Sequence, residues 1–116
     1  MLQHVALELR EDDVEAEAAF WALLGFARVD PPAGLRDRSV WVQRGEQQIH
    51  LLLADTPVVP PQGHVAVVAE DHAATVATLR DAGHEVEDRA RHWGAARCFA
   101  RTPAGHRVEV MEFAPS

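Results

Sequence analysis

Polar and apolar residues alternate from Leu2 to Leu9. Leu2, His4, Ala6 and Glu8 fall on one side and Gln3, Val5, Leu7 and Leu9 on the other, which predicts a strand. Arg10 to Asp13 breaks the alternation, with Asp12 or Asp13 placed to cap a helix. Val14, Ala18, Trp21 and Leu24 then recur at helical spacing, and Gly25 supplies a left-handed stop. Phe26 to Val29 predicts a short strand and Asp30 to Gly34, with its paired prolines, a loop. Ser39 to Gln43 and Gln47 to Ala54 predict two strands joined by a turn at Arg44-Gly45-Glu46.

Asp55 to Gln62 carries Pro57, Pro60 and Pro61 and predicts a mid-chain linker. The pattern then restarts. Gly63 to Ala69 predicts a strand. Glu70-Asp71 caps a helix from about His72 to Ala82, with Ala73, Val76 and Leu79 on its apolar side, and Gly83 ends it. Glu85 to Asp88, Ala96 to Arg101 and His106 to Phe113 predict three more strands, with a loop at Arg91 to Gly94 and a turn at Thr102 to Gly105. Gln3-His4-Val5-Ala6-Leu7-Glu8 and Gly63-His64-Val65-Ala66-Val67-Val68 are two copies of one phrase. His4 to Gly25 spans 21 positions and His64 to Gly83 spans 19; Gly25 to His50 spans 25 and Gly83 to Glu109 spans 26. The chain therefore reads as an α+β fold of two βαβββ repeats, about 1–55 and about 63–116, expected to pack as a single domain with helices outside and sheets around a shared cleft.

The length of 116 residues suits one domain, and 47% hydrophobic with 25% charged residues suits an ordinary globular protein. A formal net charge of −7 argues against nucleic acid and against an anionic membrane surface as partners. No apolar run is long enough to span a bilayer, and the N-terminus lacks the features of a signal peptide. With a single cysteine, Cys98, read as a small buried residue, a reducing cytoplasm is the expected compartment.

The first and last strands of the two repeats offer His4, His50, His64 and Glu109. An imidazole interrupts the apolar run around His50, and a carboxylate interrupts the one around Glu109. An unpaired ionisable group on a half-buried strand is costly, so four of them at matching repeat positions are best explained if they converge. Three imidazoles and a carboxylate suit a divalent transition metal such as Zn, Ni, Fe, Co or Mn. Against this, a strand histidine is more often a satisfied core or edge residue, and Glu109 has Arg97 and Arg107 as candidate partners. His72, His84, His92 and His106 flank a helix or turns, where solvated polar residues are normal; His92 and Trp93 alternatively form a loop at the mouth of a cleft.

Six phrases resemble the vicinal oxygen chelate superfamily, the glyoxalase/bleomycin resistance/dioxygenase fold, over essentially the whole chain. They are His4-Val5-Ala6-Leu7-Glu8, Ala19-Phe20-Trp21-Ala22-Leu23-Leu24-Gly25-Phe26, Gln48-Ile49-His50-Leu51, Gly63-His64-Val65-Ala66-Val67, Trp93-Gly94 through Arg97, and Pro103-Ala104-Gly105-His106-Arg107-Val108-Glu109-Val110. The resemblance implies metal ligands at His4, His50, His64 and Glu109. It departs from glyoxalase I-like members at His50, where a glutamate is usual, and at Glu8, where a cation would meet a glutathione carboxylate. Thr102 stands where the turn usually has an aspartate, a change of turn chemistry. Extradiol dioxygenases resemble it at His4, His64 and Glu109, but they tend to use a tyrosine and this chain has none. Fosfomycin-modifying members need several cations, of which Arg97, Arg101 and Arg107 offer some.

The reading that results is a small metalloenzyme, a glyoxalase-like lyase or isomerase, acting on a small substrate with two chelating oxygens. Glu109 or Glu8 would move the proton, and Trp41, Leu52, Val68, Phe99 and Met111 are candidate pocket walls. Single-domain members of the superfamily imply a homodimer. The rival readings are a metal-free protein that sequesters a hydrophobic drug or metabolite, as bleomycin-binding members do, an extradiol-type dioxygenase, and a catalytically inert subunit of a larger assembly.

Overall fold

The computed structural model describes residues 1–116 and divides them into two compact units, Met1–Val59 and Pro60–Ser116. In the first, strand β1 (His4–Leu9) leads through a single 3-10 turn (Glu11–Asp13) into helix α1 (Val14–Leu23), then β2 (Ala27–Val29), β3 (Ser39–Arg44) and β4 (Gln47–Leu53). The second runs β5 (His64–Val68), α2 (His72–Asp81), β6 (Val86–Arg89), β7 (Arg97–Arg101) and β8 (Arg107–Met111). Each unit is thus βαβββ, as the repeat predicts.

The strand orders are β1-β4-β3-β2 and β5-β8-β7-β6. The last three strands of each unit form an antiparallel meander, and the last lies parallel to the first. A parallel neighbour cannot be reached by a tight turn, so the helix and the meander between them make the crossover. The registers correspond as well. His4 is level with Gln48 and Ala6 with His50; His64 is level with Arg107 and Ala66 with Glu109. His4 is therefore diagonal to His50, and His64 is diagonal to Glu109, on one face of each sheet.

The opposite faces hold the apolar core. Leu9, Val42, Ile49 and Leu51 are buried in the first unit, and Cys98, Ala100, Val108 and Val110 in the second. Helix α1 packs on β2 and β3, and α2 on β6. Both helices stop in the same way: Gly25 (φ 90°) and Gly83 (φ 88°) take a left-handed conformation, and the next amides donate back to Trp21 and Leu79. A side chain at either position would be strained there.

Several features differ from the pattern-based expectation. The acidic break before α1 forms its own 3-10 turn, as does Ala33–Leu35 within the expected loop. Helix α1 buries more than its predicted stripe: Phe20 and Glu17 are fully buried beside Trp21, whose Nε1 donates to Glu17 Oε2 at 3.2 Å. His72 and His106 are buried rather than solvated. His72 Nε2 donates to the Val110 carbonyl at 3.2 Å and ties α2 to the sheet. Thr102 does the work expected of the turn aspartate, its Oγ1 accepting from the His106 amide at 3.0 Å. No helix is long and apolar enough to cross a membrane.

Two outcomes are expected. Leu51→Ala, in the middle of β4, should cost about 2–5 kcal/mol, read from the midpoint of urea unfolding. Burial pushes the Cys98 thiol up, and the nearby Asp88 carboxylate adds to the shift. Cys98 should therefore resist iodoacetamide at pH 8 while the protein is folded and react once it unfolds.

Candidate functional site

In the first unit, three flat rings lie in a row on the sheet face away from α1. The His50 ring stacks on Trp41 (centroids 3.8 Å apart, planes 2° from parallel) and on His4 (3.9 Å, 15°). Strand pairing accounts for the order, because Trp41 is level with His50 and His4 is diagonal to it. Burial lowers the His50 pKa, and the His4 imidazole lowers it further; both favour the neutral ring.

The hydrogen bonds fix which nitrogen of His50 carries the proton. The Gly45 carbonyl can only accept, so Gln43 Nε2 donates to it at 2.9 Å. Gln43 Oε1 then accepts from Gln48 Nε2 at 2.7 Å. That leaves Gln48 Oε1 as acceptor for His50 Nε2 at 2.8 Å. His50 is thus an Nε2–H tautomer whose only free lone pair is on Nδ1. His4 is the opposite tautomer, its Nδ1–H donating to Gln3 Oε1 at 2.7 Å and its Nε2 left as a lone pair. Rings stacked 3.9 Å apart and 15° from parallel keep their in-plane lone pairs in separate, nearly parallel planes. As stacked, the two imidazoles do not point at a common ion.

The second unit replaces ring stacking with charge. His64 Nδ1–H donates to the Gln62 carbonyl at 2.9 Å, which turns Nε2 toward Glu109 Oε1 at 3.3 Å. The other carboxylate oxygen, Oε2, accepts from Arg97 Nε at 3.0 Å. Both partners of that ion pair are largely buried, with 9% and 12% of their side chains exposed. Phe99, level with Glu109, stands edge-on to His64 and lies under the guanidinium groups of Arg89, Arg97 and Arg107. Of the two partners open to Glu109 by sequence, Arg97 takes it.

With Nδ1–H committed to a carbonyl, a neutral His64 presents a lone pair to a carboxylate. Two acceptors at that distance repel unless a cation or a second proton lies between them. An imidazolium satisfies the geometry, and so does a divalent metal. Two ligand atoms each about 2.0–2.2 Å from one ion sit roughly 3 Å apart, as these do. A ligating histidine also characteristically gives its other N–H to a backbone carbonyl, as His64 does. The donor chemistry of this pair therefore fits a transition metal. Within neither unit do three or more His, Cys, Asp or Glu side chains gather into a group that could hold a metal ion; each unit supplies a pair.

Glu8 shares the face of His4 and Ala6, level with Leu52, and its Oε1 accepts from the Val58 amide at 3.3 Å. It lies four residues along the strand from His4, about 13 Å at the usual rise. Trp41 and Leu52 lie on the His50 face, and Val68, Phe99 and Met111 on the Glu109 face. Trp93 is half-buried, with Nε1 donating to the Phe113 carbonyl at 2.8 Å, while His92 is exposed.

Residues 4–111 match the family model described as the glyoxalase-like domain. This chain belongs to the glyoxalase-like domain family. The family lies in the vicinal oxygen chelate superfamily, as the sequence phrases imply. A protein assigned to the glyoxalase family from Bacillus anthracis superposes with a TM-score of 0.84 at 25% identity, covering 96% of this chain and 93% of that one. Lactoylglutathione lyase from Agrobacterium tumefaciens gives 0.73 at 23% identity, over 96% and 92%. A bleomycin resistance determinant encoded on transposon Tn5 gives 0.66 at 18%, over 93% and 95%. The last two likenesses bear on the glyoxalase-like fold alone. Comparison with curated protein sequences finds no match.

The tautomer of His50 was beyond sequence reasoning, since it depends on two glutamines brought level by strand register. The sequence offers Arg97 and Arg107 as partners for Glu109, and the pairing of β7 with β8 brings Arg97 to it. Arg97→Met leaves a largely buried carboxylate without its guanidinium and should destabilise the protein by about 3 kcal/mol. Adding Glu109→Gln should restore part of that loss, measured by urea unfolding of both variants.

Proposed function

We propose that this glyoxalase-like protein is a small divalent-metal-dependent enzyme that acts on a substrate with two adjacent chelating oxygens, by lyase or isomerase chemistry. The observation that carries the reading is the His64–Glu109 pair. With Nδ1–H given to the Gln62 carbonyl, Nε2 faces a carboxylate oxygen 3.3 Å away, a gap that a shared metal ion would bridge. His4, at the matching repeat position of the first unit, belongs to the candidate ligand set and likewise has Nδ1 on an oxygen acceptor, Gln3 Oε1. His50 belongs to the candidate set only through Nδ1, because Gln48 takes its Nε2–H. When bound, the metal would supply Lewis-acid stabilisation of negative charge on substrate oxygen.

The chain's own residues have separate parts in this mechanism. Arg97 orients the Glu109 carboxylate and balances its charge, which leaves Oε1 directed at His64. Glu109 is the candidate for moving a proton at a substrate carbon, with Glu8 the alternative on the first sheet. Phe99 and Trp41 give flat apolar surface beside the polar pairs and help to exclude water. The proposal includes a homodimer, supported by the exposed apolar side chains of Leu2, Val58 and Phe113; sedimentation velocity would report a single species of twice the chain mass.

The test is elemental analysis of protein purified without chelator. About one transition metal per chain is expected in the wild type and none in His64→Ala or Glu109→Gln, while His50→Gln keeps most of it. Circular dichroism of each variant checks that it folds. Metal-free wild type that still gains thermal stability from a hydrophobic ligand would replace the enzyme reading with sequestration.

A further inference from the structure

A second feature of the Pro60–Ser116 unit shares only Arg97 with that chemistry. A cavity of about 460 Å³ opens between α2 and the stretch running from the end of β6 to the start of β7. Arg80, Arg89, Arg91 and Arg97 line it, with Asp88 as its one carboxylate and His72 at the helix end. All 11 cationic side chains of this chain are arginine, and the formal net charge is −7. Four of the 11 thus converge on one cavity of an acidic protein.

Three of their hydrogen bonds go to backbone carbonyls and orient the guanidinium groups without cancelling their charge. Arg91 Nη1 donates to the Gly94 carbonyl at 3.1 Å, Arg97 Nη1 to Ala90 at 2.9 Å and Arg80 Nη2 to Val86 at 3.3 Å. Four carboxylates lie nearby, Glu112 among them, its Oε1 accepting from the Ala96 amide at 3.2 Å. Glu87 meets Arg89 at 2.8 Å, Asp88 lies 3.7 Å from Arg80, and Glu109 holds Arg97 from behind. The carboxylates balance the four cations in number, but each planar fork of five donors has used only one or two, and Arg91 has no carboxylate contact. Guanidinium forks match carboxylate and phosphate oxygens in pairs, and the volume is that of a small-molecule site.

We infer that this cavity binds a small organic molecule through a multiply charged oxyanion group, either a phosphate or a cluster of carboxylates. Arg97 is the only residue it shares with the Glu109 ion pair. The site is independent of the metal reading and stands or falls separately.

Pyrophosphate and citrate are the probes, titrated calorimetrically against chloride at equal ionic strength. Saturable binding of one probe per chain is expected. It should weaken at least ten-fold in Arg80→Gln/Arg91→Gln and stay unchanged in Arg101→Gln, whose guanidinium lies outside the cavity on the Gly105 carbonyl. Tighter pyrophosphate assigns the site to phosphate esters, tighter citrate to polycarboxylates. Both substituted arginines of the double variant are exposed. Should that variant nonetheless fail to fold, protection of Arg80 and Arg91 from phenylglyoxal by the probe reads the same site in the wild type. No saturable heat with either probe, an equal loss in Arg101→Gln, or no protection would overturn the inference.

Discussion

Parallel pairing of the first strand of each unit with its last is the constraint on which the rest depends. It requires a helix and a meander to be completed before the sheet can close. It also sets residues more than forty positions apart in the chain side by side, so that β1 meets β4 and β5 meets β8 in matching register. Without that pairing His64 has no Glu109 and His4 no His50. The burial of Leu51 and Val110 on the other face is what pays for it, since apolar side chains removed from water supply the main favourable term in folding.

The two units solve the same local problem with different chemistry. The position level with the middle of the first strand is an imidazole in one and a carboxylate in the other, and the residue beside it is Trp41 in one and Phe99 in the other. A neutral imidazole between two rings needs a hydrogen bond only at its edge, and the Gln43–Gln48 chain provides it. A carboxylate in the same slot needs countercharge, which Arg97 provides. The divergence shows why a repeat predicts where polar groups lie more readily than what each one does.

Much of this architecture was legible from the chain. The strand alternations, the paired helix-ending glycines and the proline-rich break at mid-chain mark the elements, and the repeated phrase relates the halves. Legibility failed where a side chain's setting depends on neighbours distant in sequence. Phe20 and Glu17 are buried because α1 meets its sheet over a wider stripe than the helical spacing alone suggests. His72 and His106 sit beside turns, yet each has a buried place that only the folded unit creates. The proton position on His50 follows from a three-residue relay across two strands. The arginine-lined cavity draws on a helix, a strand end and a loop, and no contiguous motif announces it.

The contrast between stacked rings and ion pairs has a consequence for how the halves respond to their surroundings. Concentrated electrolyte shields guanidinium from carboxylate but leaves flat rings in contact. Brine should therefore loosen the exposed Arg89–Glu87 pair, disturb the largely buried Arg97–Glu109 pair less and leave the Trp41 stack nearly as it was, giving one molecule unequal tolerances to salinity.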